Sequence, residues 1–205
     1  MSSNSYRGLL VDWGGVMTTN VFHAFQAFCA AEGLEPDTVR DHFRGNPHSR
    51  ELLIGLETGQ IPEAEFEPRF AEILGVPAEG LIDRMFAGAR PDEKMLNAVR
   101  RARAGGIHTG LISNSWGTRR YDRGLLDELF DGVVISGDVG MRKPTLEIYQ
   151  LGAQRVGLGP SQCVFVDDLP FNLKPAAELG MATVHHTDDE KTIAELELLL
   201  DIALT

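Results

Sequence analysis

The stretch Gly8-Leu9-Leu10-Val11-Asp12-Trp13-Gly14-Gly15-Val16-Met17-Thr18-Thr19 decides how the rest of the chain is read. Leu9 to Val11 is a short apolar run, the mark of a buried strand, and it stops at a carboxylate followed by two glycines. A buried strand of an open α/β sheet presents its C-terminal end to a ligand crevice, which puts Asp12 at the mouth of a site. Paired glycines permit a sharp turn and let backbone N–H groups come close to a ligand. Taken alone, the stretch is equally compatible with an Asp12 that only caps the turn.

Downstream, the character changes. From Val21 to about Ala89 the patterns are helical. Phe22, Phe25, Phe28 and Cys29 recur at helical spacing; Pro36-Asp37-Thr38 opens a second helix, broken at Asn46-Pro47; Ser49 to Leu56 reads as a third. Pro62 begins a fourth helix, with Phe66, Phe70, Ile73 and Leu74 on one face and Gly75 as its stop, and Pro77 to Ala89 reads as a fifth. The phenylalanines are expected to form the core of this all-helical segment, sized like a cap inserted into an α/β domain. From Pro91 onward, helices and strands alternate, the signature of a parallel sheet. Strands are expected at Ile107–Ile112, Val133–Ile135, Cys163–Val166 and Ala182–Val184, with helices over Asp92–Gly105 and Leu125–Phe130, one opened by Arg142-Lys143-Pro144, one that contains Ala176–Leu179 and stops at Gly180, and one running toward Leu200. The domains expected are residues 1–18 with 90–205 as an α/β core and 19–89 as the cap, with Thr18 and Thr19 in the hinge.

The polar residues gather at strand ends. Asp12, Ser113-Asn114 and Asp167-Asp168 each terminate an expected strand, and in a parallel sheet those ends share one edge, within reach of Lys143. Each has a plainer reading as a cap or turn residue. Their coincidence on one edge points to a site.

With 205 residues, the chain is long enough for a full core, and its 43% apolar and 24% charged content is that of a globular protein. No apolar run reaches the length of a membrane span, and Met1 to Arg7 lacks a signal-peptide core, so a cytoplasmic chain is expected. A net charge of −11 argues against a nucleic-acid surface but allows an anionic substrate in a locally positive pocket. Cys29 and Cys163, without CxxC spacing, read as buried free thiols. Arg119-Arg120 reads as a solvated helix start, Trp116 as lining or packing between core and cap, and His185-His186 with Asp188-Asp189 as a polar loop rather than a metal site.

The order of motifs resembles the haloacid dehalogenase superfamily of phosphohydrolases. The first motif is similar to Val11-Asp12-Trp13-Gly14-Gly15-Val16 and the second to Leu111-Ile112-Ser113-Asn114; the third is similar to Arg142-Lys143-Pro144 with Ile148-Tyr149 following, and the fourth to Val164-Phe165-Val166-Asp167-Asp168. The run Asp167 to Pro175 with Gly180-Met181 is especially similar to the phosphatase domain of soluble epoxide hydrolases. The resemblance implies a Rossmann-like, five-stranded parallel α/β sheet with an inserted helical cap. It also implies a Mg²⁺-dependent phosphomonoester hydrolase acting on a small phosphorylated metabolite through an aspartyl-phosphate. Asp12 is then the nucleophile; Asp12, the Gly14 carbonyl and Asp168 hold Mg²⁺; and Lys143 neutralises the transferring oxygens and keeps Asp12 ionised. Ser113, the Asn114 N–H and the Gly15 N–H bind phosphate, Asp167 orients water or Lys143, and Asn172 assists by position. The resemblance leaves the oligomeric state and the substrate's identity open.

One departure stands out. The family's phosphatases carry a second Asp two residues after the nucleophile, and here that position is Gly14. Losing such an acid costs on the order of 10²–10⁴-fold in rate. Three explanations are open: a substrate whose leaving group needs little protonation, an acid from the cap among His23, His42 and His48, or a weak or inactive phosphatase kept as a binding protein. The family's dehalogenases are metal-free and lack the fourth-motif pair, so Asp167-Asp168 points away from carbon–halogen cleavage.

Overall fold

In the computed structural model, which describes residues 6–205, the apolar run Gly8–Val11 is a wholly buried strand, β1. Met1 to Ser5, most of the stretch read for a signal core, lie outside the described residues. Four further strands, β2 (His108–Ser113), β3 (Gly132–Ile135), β4 (Cys163–Asp167) and β5 (Ala182–His185), complete a parallel sheet in the order β3-β2-β1-β4-β5. β1 sits in the middle and is covered on both faces, which is why it reads as an unbroken apolar run.

Side chains alternate between the faces. Leu9, Val11, Leu111, Val164 and Val166 pack on one side, against the helices Glu93–Ala104, Arg123–Leu129 and Asp189–Leu200. Leu10, Ile112, Val134 and Phe165 pack on the other, against Leu146–Arg155 and Pro170–Glu178.

Between β1 and the first of those sheet-packing helices lie α1 (Val21–Ala31), α2 (Thr38–Gly45), α3 (Pro47–Glu57), α4 (Glu63–Leu74) and α5 (Leu81–Phe86). They bury their own cluster, including Phe25, Phe28, Leu52, Phe66, Phe70 and Met85. Side-chain caps set their starts: Asn20 Oδ1 accepts from Phe22 N, and Asn46 Oδ1 accepts from His48 N and Ser49 N. The two strands of chain joining this insert to the sheet lie side by side, with an antiparallel bridge between Thr18 and Pro91 and Thr19 N donating to Arg90 O at 2.8 Å. The helices after the insert are α6 (Glu93–Ala104), α7 (Arg123–Leu129), the short α8 (Ser136–Val139), α9 (Leu146–Arg155), α10 (Pro170–Glu178) and α11 (Asp189–Leu200).

Several boundaries differ from expectation. The fifth insert helix covers only Leu81–Phe86, because Gly80 at φ 58° holds the preceding residues in a turn. Arg142-Lys143-Pro144 is a turn ahead of α9 rather than its start, since the Lys143 N–H is taken by Asn114 Oδ1 at 2.8 Å. α10, the helix expected to contain Ala176, runs Pro170–Glu178 with Pro175 inside it. β2 and β4 run one residue further than expected, so Ser113 and Asp167 are themselves strand residues. Among the described residues, no helix is long and apolar enough to cross a membrane. Cys29 and Cys163 are buried and free.

Candidate active site

Register delivers the carboxylates to one place. Val11 is level with Val166, and the Asp12 N–H donates to Val166 O at 2.9 Å, so Asp12 leaves the sheet beside Asp167 at the end of β4. Asp12, Asp167 and Asp168 each offer an oxygen within 4.8 Å of the others; among the described residues they are the only such acidic or metal-ligating group. The His185-His186 pair with Asp188 and Asp189 forms no such group: His185 Nε2 lies 3.1 Å from Asp168 O and His186 Nδ1 lies 3.0 Å from Thr192 Oγ1.

Lys143, wholly buried, places Nζ 2.8 Å from Asp12 Oδ1 and 2.7 Å from Asp167 Oδ2. Its backbone is gripped by the Asn114 side chain, whose Oδ1 accepts from Lys143 N at 2.8 Å and whose Nδ2 donates to Lys143 O at 3.0 Å. Asn172 Nδ2 donates to both oxygens of Asp167, at 3.0 and 3.1 Å, while Asn172 O accepts from the buried Tyr149 hydroxyl at 2.7 Å. Asp167 is thereby committed to Lys143 and Asn172, and Asp12 and Asp168 are left facing the turn after β1. Ser113, at the end of β2, bonds Tyr121 through its hydroxyl at 2.8 Å.

The glycine turn is tailored to this arrangement. Gly15 has φ 77°, and a β-carbon there would stand 2.5 Å from Asp168 Oδ2. A side chain is thus excluded by backbone conformation and by the carboxylate together. Gly14 differs: a β-carbon would meet only Val21 Cγ2, at 3.2 Å.

Electrostatics follow from burial. With all three carboxylates ionised and one ammonium between them, two negative charges lack a counter-ion. Burial pushes the Asp12 carboxyl up to about 7; Lys143 pulls it down, and Asp167 and Asp168 push it up again. Burial and Asp167 push Asp168 up to about 7 as well. Lys143 therefore favours the ionised Asp12 without outweighing desolvation. Burial opposes the Lys143 charge, and its two carboxylate partners overcome that, raising its pKa.

Oxygen-only donors with uncompensated negative charge fit a hard divalent cation of the Mg²⁺ kind. Asp12 itself is only 7% exposed, and a separate surface groove of 460 Å³ runs between α6 and α11.

The insert contributes groups that sequence reasoning did not single out. Glu57, at the end of α3, is 4% exposed, and its Oε2 lies 2.5 Å from Arg142 Nε, next to Lys143 in the chain. Burial pushes its carboxyl up to about 7 against the pull of Arg142. Arg119 is solvated as expected, in the 3₁₀ turn Thr118–Arg120, and still pairs with Glu63 of α4; Arg120 is the departure, largely covered and bonded to both Glu63 and Asp83. Trp116 lies among Phe25, Phe43, Phe66 and Phe86 of the insert, at centroid distances of 5.3 to 5.9 Å. His23 and His48 are exposed, and His42 lines a surface hollow with Glu35 and Asp37; none of the three contacts the carboxylate cluster. Tyr121 and Glu57 carry no local spacing that would have announced them.

A family model described as haloacid dehalogenase-like hydrolase matches residues 6–180. The chain is 40% identical over 98% of its length to acyl-CoA dehydrogenase family member 10 of Mus musculus, of which the match covers 20%. It is 31% identical over 72% of its length to bifunctional epoxide hydrolase 2 of Sus scrofa, of which the match covers 30%. The chain thus spans less than a third of each of these relatives. A sesquiterpene phosphatase of Aspergillus oryzae matches at 28% identity over 71% of this chain and 77% of its own length. Among solved structures, a haloacid dehalogenase family enzyme of Bacteroides thetaiotaomicron, in complex with magnesium and inorganic phosphate, superposes with TM-score 0.66 and 22% identity over 89% of this chain and 94% of its own.

Proposed function

The chain belongs to the haloacid dehalogenase-like hydrolases, and from that premise we propose that it is a Mg²⁺-dependent phosphomonoester hydrolase acting through an aspartyl-phosphate on Asp12. The observation that carries the proposal is the largely buried cluster in which Asp12, Asp167 and Asp168 bring carboxylate oxygens together, with the Lys143 ammonium paired to Asp12 and Asp167. The phosphatase among its relatives and the magnesium and phosphate held by a neighbour of the same fold support it. The helices α1 to α5 act in this reading as the cap, residues 19–89, over a core of 1–18 and 90–205.

Asp12, Asp168 and the Gly14 carbonyl are the groups that would hold Mg²⁺. When bound, the cation supplies positive charge that lets a phosphate dianion approach a carboxylate and lowers the pKa of both aspartates. Asp12 attacks phosphorus in line; the new Asp12 O–P bond forms as the ester P–O bond breaks, and the leaving oxygen departs with its electron pair. Lys143, anchored through Asn114 and Asp167, is set to neutralise the transferring oxygens as well as to pair with Asp12. Ser113 and the N–H groups of Asn114 and Gly15 bind the other phosphate oxygens. Water then attacks the same phosphorus, releasing inorganic phosphate and restoring the Asp12 carboxylate.

Gly14 constrains the substrate. With no carboxylic acid two residues after the nucleophile, and with the three cap histidines away from the cluster, protonation of the leaving oxygen has no assigned donor. Substrates whose leaving oxygen departs readily as an anion or is protonated by solvent are favoured: anomeric, acyl or aryl phosphates of small metabolites. The same absence favours one second reading, a catalytically weak chain that binds a phosphorylated metabolite.

The test is phosphate release from an aryl phosphate and a panel of metabolite phosphates, with Mg²⁺ and with chelator, for the native chain and Asp12→Asn. Turnover is expected to need both the metal and Asp12. Equal inactivity of both chains on every compound, with phosphate still bound, would establish the second reading instead.

A further inference from the structure

Ser113 Oγ and Tyr121 Oη lie 2.8 Å apart, and either can donate. Among the described residues this is the only hydrogen bond that either hydroxyl makes. Tyr121 follows the 3₁₀ turn Thr118–Arg120, and its ring meets that of Trp13, the residue after Asp12, edge to face at 5.9 Å. Ring packing therefore fixes the phenol with respect to both the nucleophile's loop and the end of β2.

A hydroxyl has one proton to give and two lone pairs with which to accept. If Ser113 gives its proton to the phenol, it presents only lone pairs to an incoming anion, which repels them. If the phenol donates, the Ser113 proton is free to point at the anion. A phenol is a stronger hydrogen-bond donor and a weaker acceptor than an aliphatic hydroxyl, and with its ring held against Trp13 the Tyr121 hydroxyl has Ser113 Oγ as its one partner among the described residues. The pair is thus biased toward the second arrangement when a phosphate oxygen reaches Ser113.

We propose that Tyr121 is a positioning residue for the phosphate site: its hydroxyl donates to Ser113 Oγ and so directs the Ser113 proton to a phosphate oxygen. This deepens the phosphatase reading and rests on it, because it takes Ser113 as the phosphate-binding hydroxyl. Tyr121 touches no reacting atom; its effect passes through Ser113.

The experiment is a double-mutant cycle on the binding of inorganic phosphate in the presence of Mg²⁺, read by phosphorus NMR or calorimetry. It uses the native chain, Tyr121→Phe, Ser113→Ala and the double variant. Phenylalanine keeps the ring against Trp13, and thermal melting of each variant separates unfolding from a lost contact. Tyr121→Phe is expected to weaken phosphate binding by about 3- to 10-fold, as for one hydrogen bond. The double variant is expected to bind as Ser113→Ala does, since the effect of Tyr121 needs the serine oxygen. Ser113→Thr, which keeps a hydroxyl, is expected to retain the dependence on Tyr121. In aryl phosphate turnover, the loss is expected in KM more than in kcat. Unchanged phosphate binding in Tyr121→Phe, or an equal loss in the native and Ser113→Ala backgrounds, would overturn the inference. A native chain that neither binds inorganic phosphate nor hydrolyses the aryl phosphate would remove the phosphatase reading and the inference with it; native binding with an additive cycle would remove the inference alone.

Discussion

At the scale of single residues, Lys143 and the two glycines after Trp13 bear most of the argument. Lys143 is wholly buried between Asp12 and Asp167, so Lys143→Met leaves carboxylates in a dry site with no cation. Breaking a buried pair from one side costs about 3–5 kcal/mol. Urea unfolding of metal-free protein is expected to show a loss of that order at pH 8 and a smaller one at pH 5, where the aspartates can take up protons. Gly14 and Gly15 should respond in opposite ways. The β-carbon at Gly14 needs only Val21 to shift by a few tenths of an ångström. Gly14→Asp is therefore expected to fold and to raise turnover, by up to about 10²-fold for alkyl phosphates and far less for aryl phosphates. A rise of equal size for both substrates in steady-state assays would show that a missing acid is not what limits the chain. Gly15→Ala is expected to abolish turnover and to lower stability by about 1–3 kcal/mol, because its β-carbon meets Asp168 Oδ2 at 2.5 Å and its φ is 77°.

At the scale of elements, the insert is joined to the sheet by far more than its two linkers. Trp116 belongs to the chain that leaves β2, yet its ring is packed among the insert's phenylalanines. Arg120 joins the same segment to Glu63 and Asp83, and Arg142 joins the third motif to Glu57. The segment from Ser113 onward is thereby connected to the insert, and a hinge at Thr18 and Thr19 cannot swing the insert without disturbing it. Trp116→Ala is expected to destabilise the chain by about 3 kcal/mol in urea unfolding, near the lower end for a large aromatic removed from a core, since the indole is partly exposed. Substrate KM is expected to rise in the same variant. A Trp116→Ala chain with native stability would mean that the aromatic contact contributes little to holding the insert against the sheet. The boundaries of these elements were legible where local chemistry sets them, as at the Asn46-Pro47 cap. They were misread where a distant partner decides, as at Lys143, whose N–H goes to Asn114 rather than into a helix.

For the molecule as a whole, folding and protonation are linked, and the proposed Mg²⁺ site extends that linkage to metal binding. Asp12 and Asp168 titrate near 4 when unfolded and near 7 in the folded, metal-free site. Across that interval the folded chain binds more protons than the unfolded one. Their contribution to stability is therefore full below about pH 4 and is lost as pH rises through about 7. In the proposed function Mg²⁺ would replace those protons on binding, so the stabilisation by Mg²⁺ is expected to grow as pH rises from about 5 to 8. At 100 times its dissociation constant, the ion adds about 2.7 kcal/mol. Melting curves with Mg²⁺ and with chelator at several pH values measure the effect; a Mg²⁺ shift that does not grow with pH would mean that the ion does not displace protons from these aspartates.

The amino-acid sequence by itself determined the order of strands and helices, the all-helical insert, and the strand ends that carry Asp12, Ser113 and Asp167. Apolar period, caps and chain breakers are local signals, and they act over a few residues. Only the tertiary structure decided that Asp167 is spent on Lys143 and Asn172 while Asp12 and Asp168 face the glycine turn. It alone brought Glu57 to Arg142 and set Tyr121 against Ser113. Those relations join residues from different loops, and their strength comes from burial, which removes the water that would otherwise satisfy each charge and hydroxyl separately.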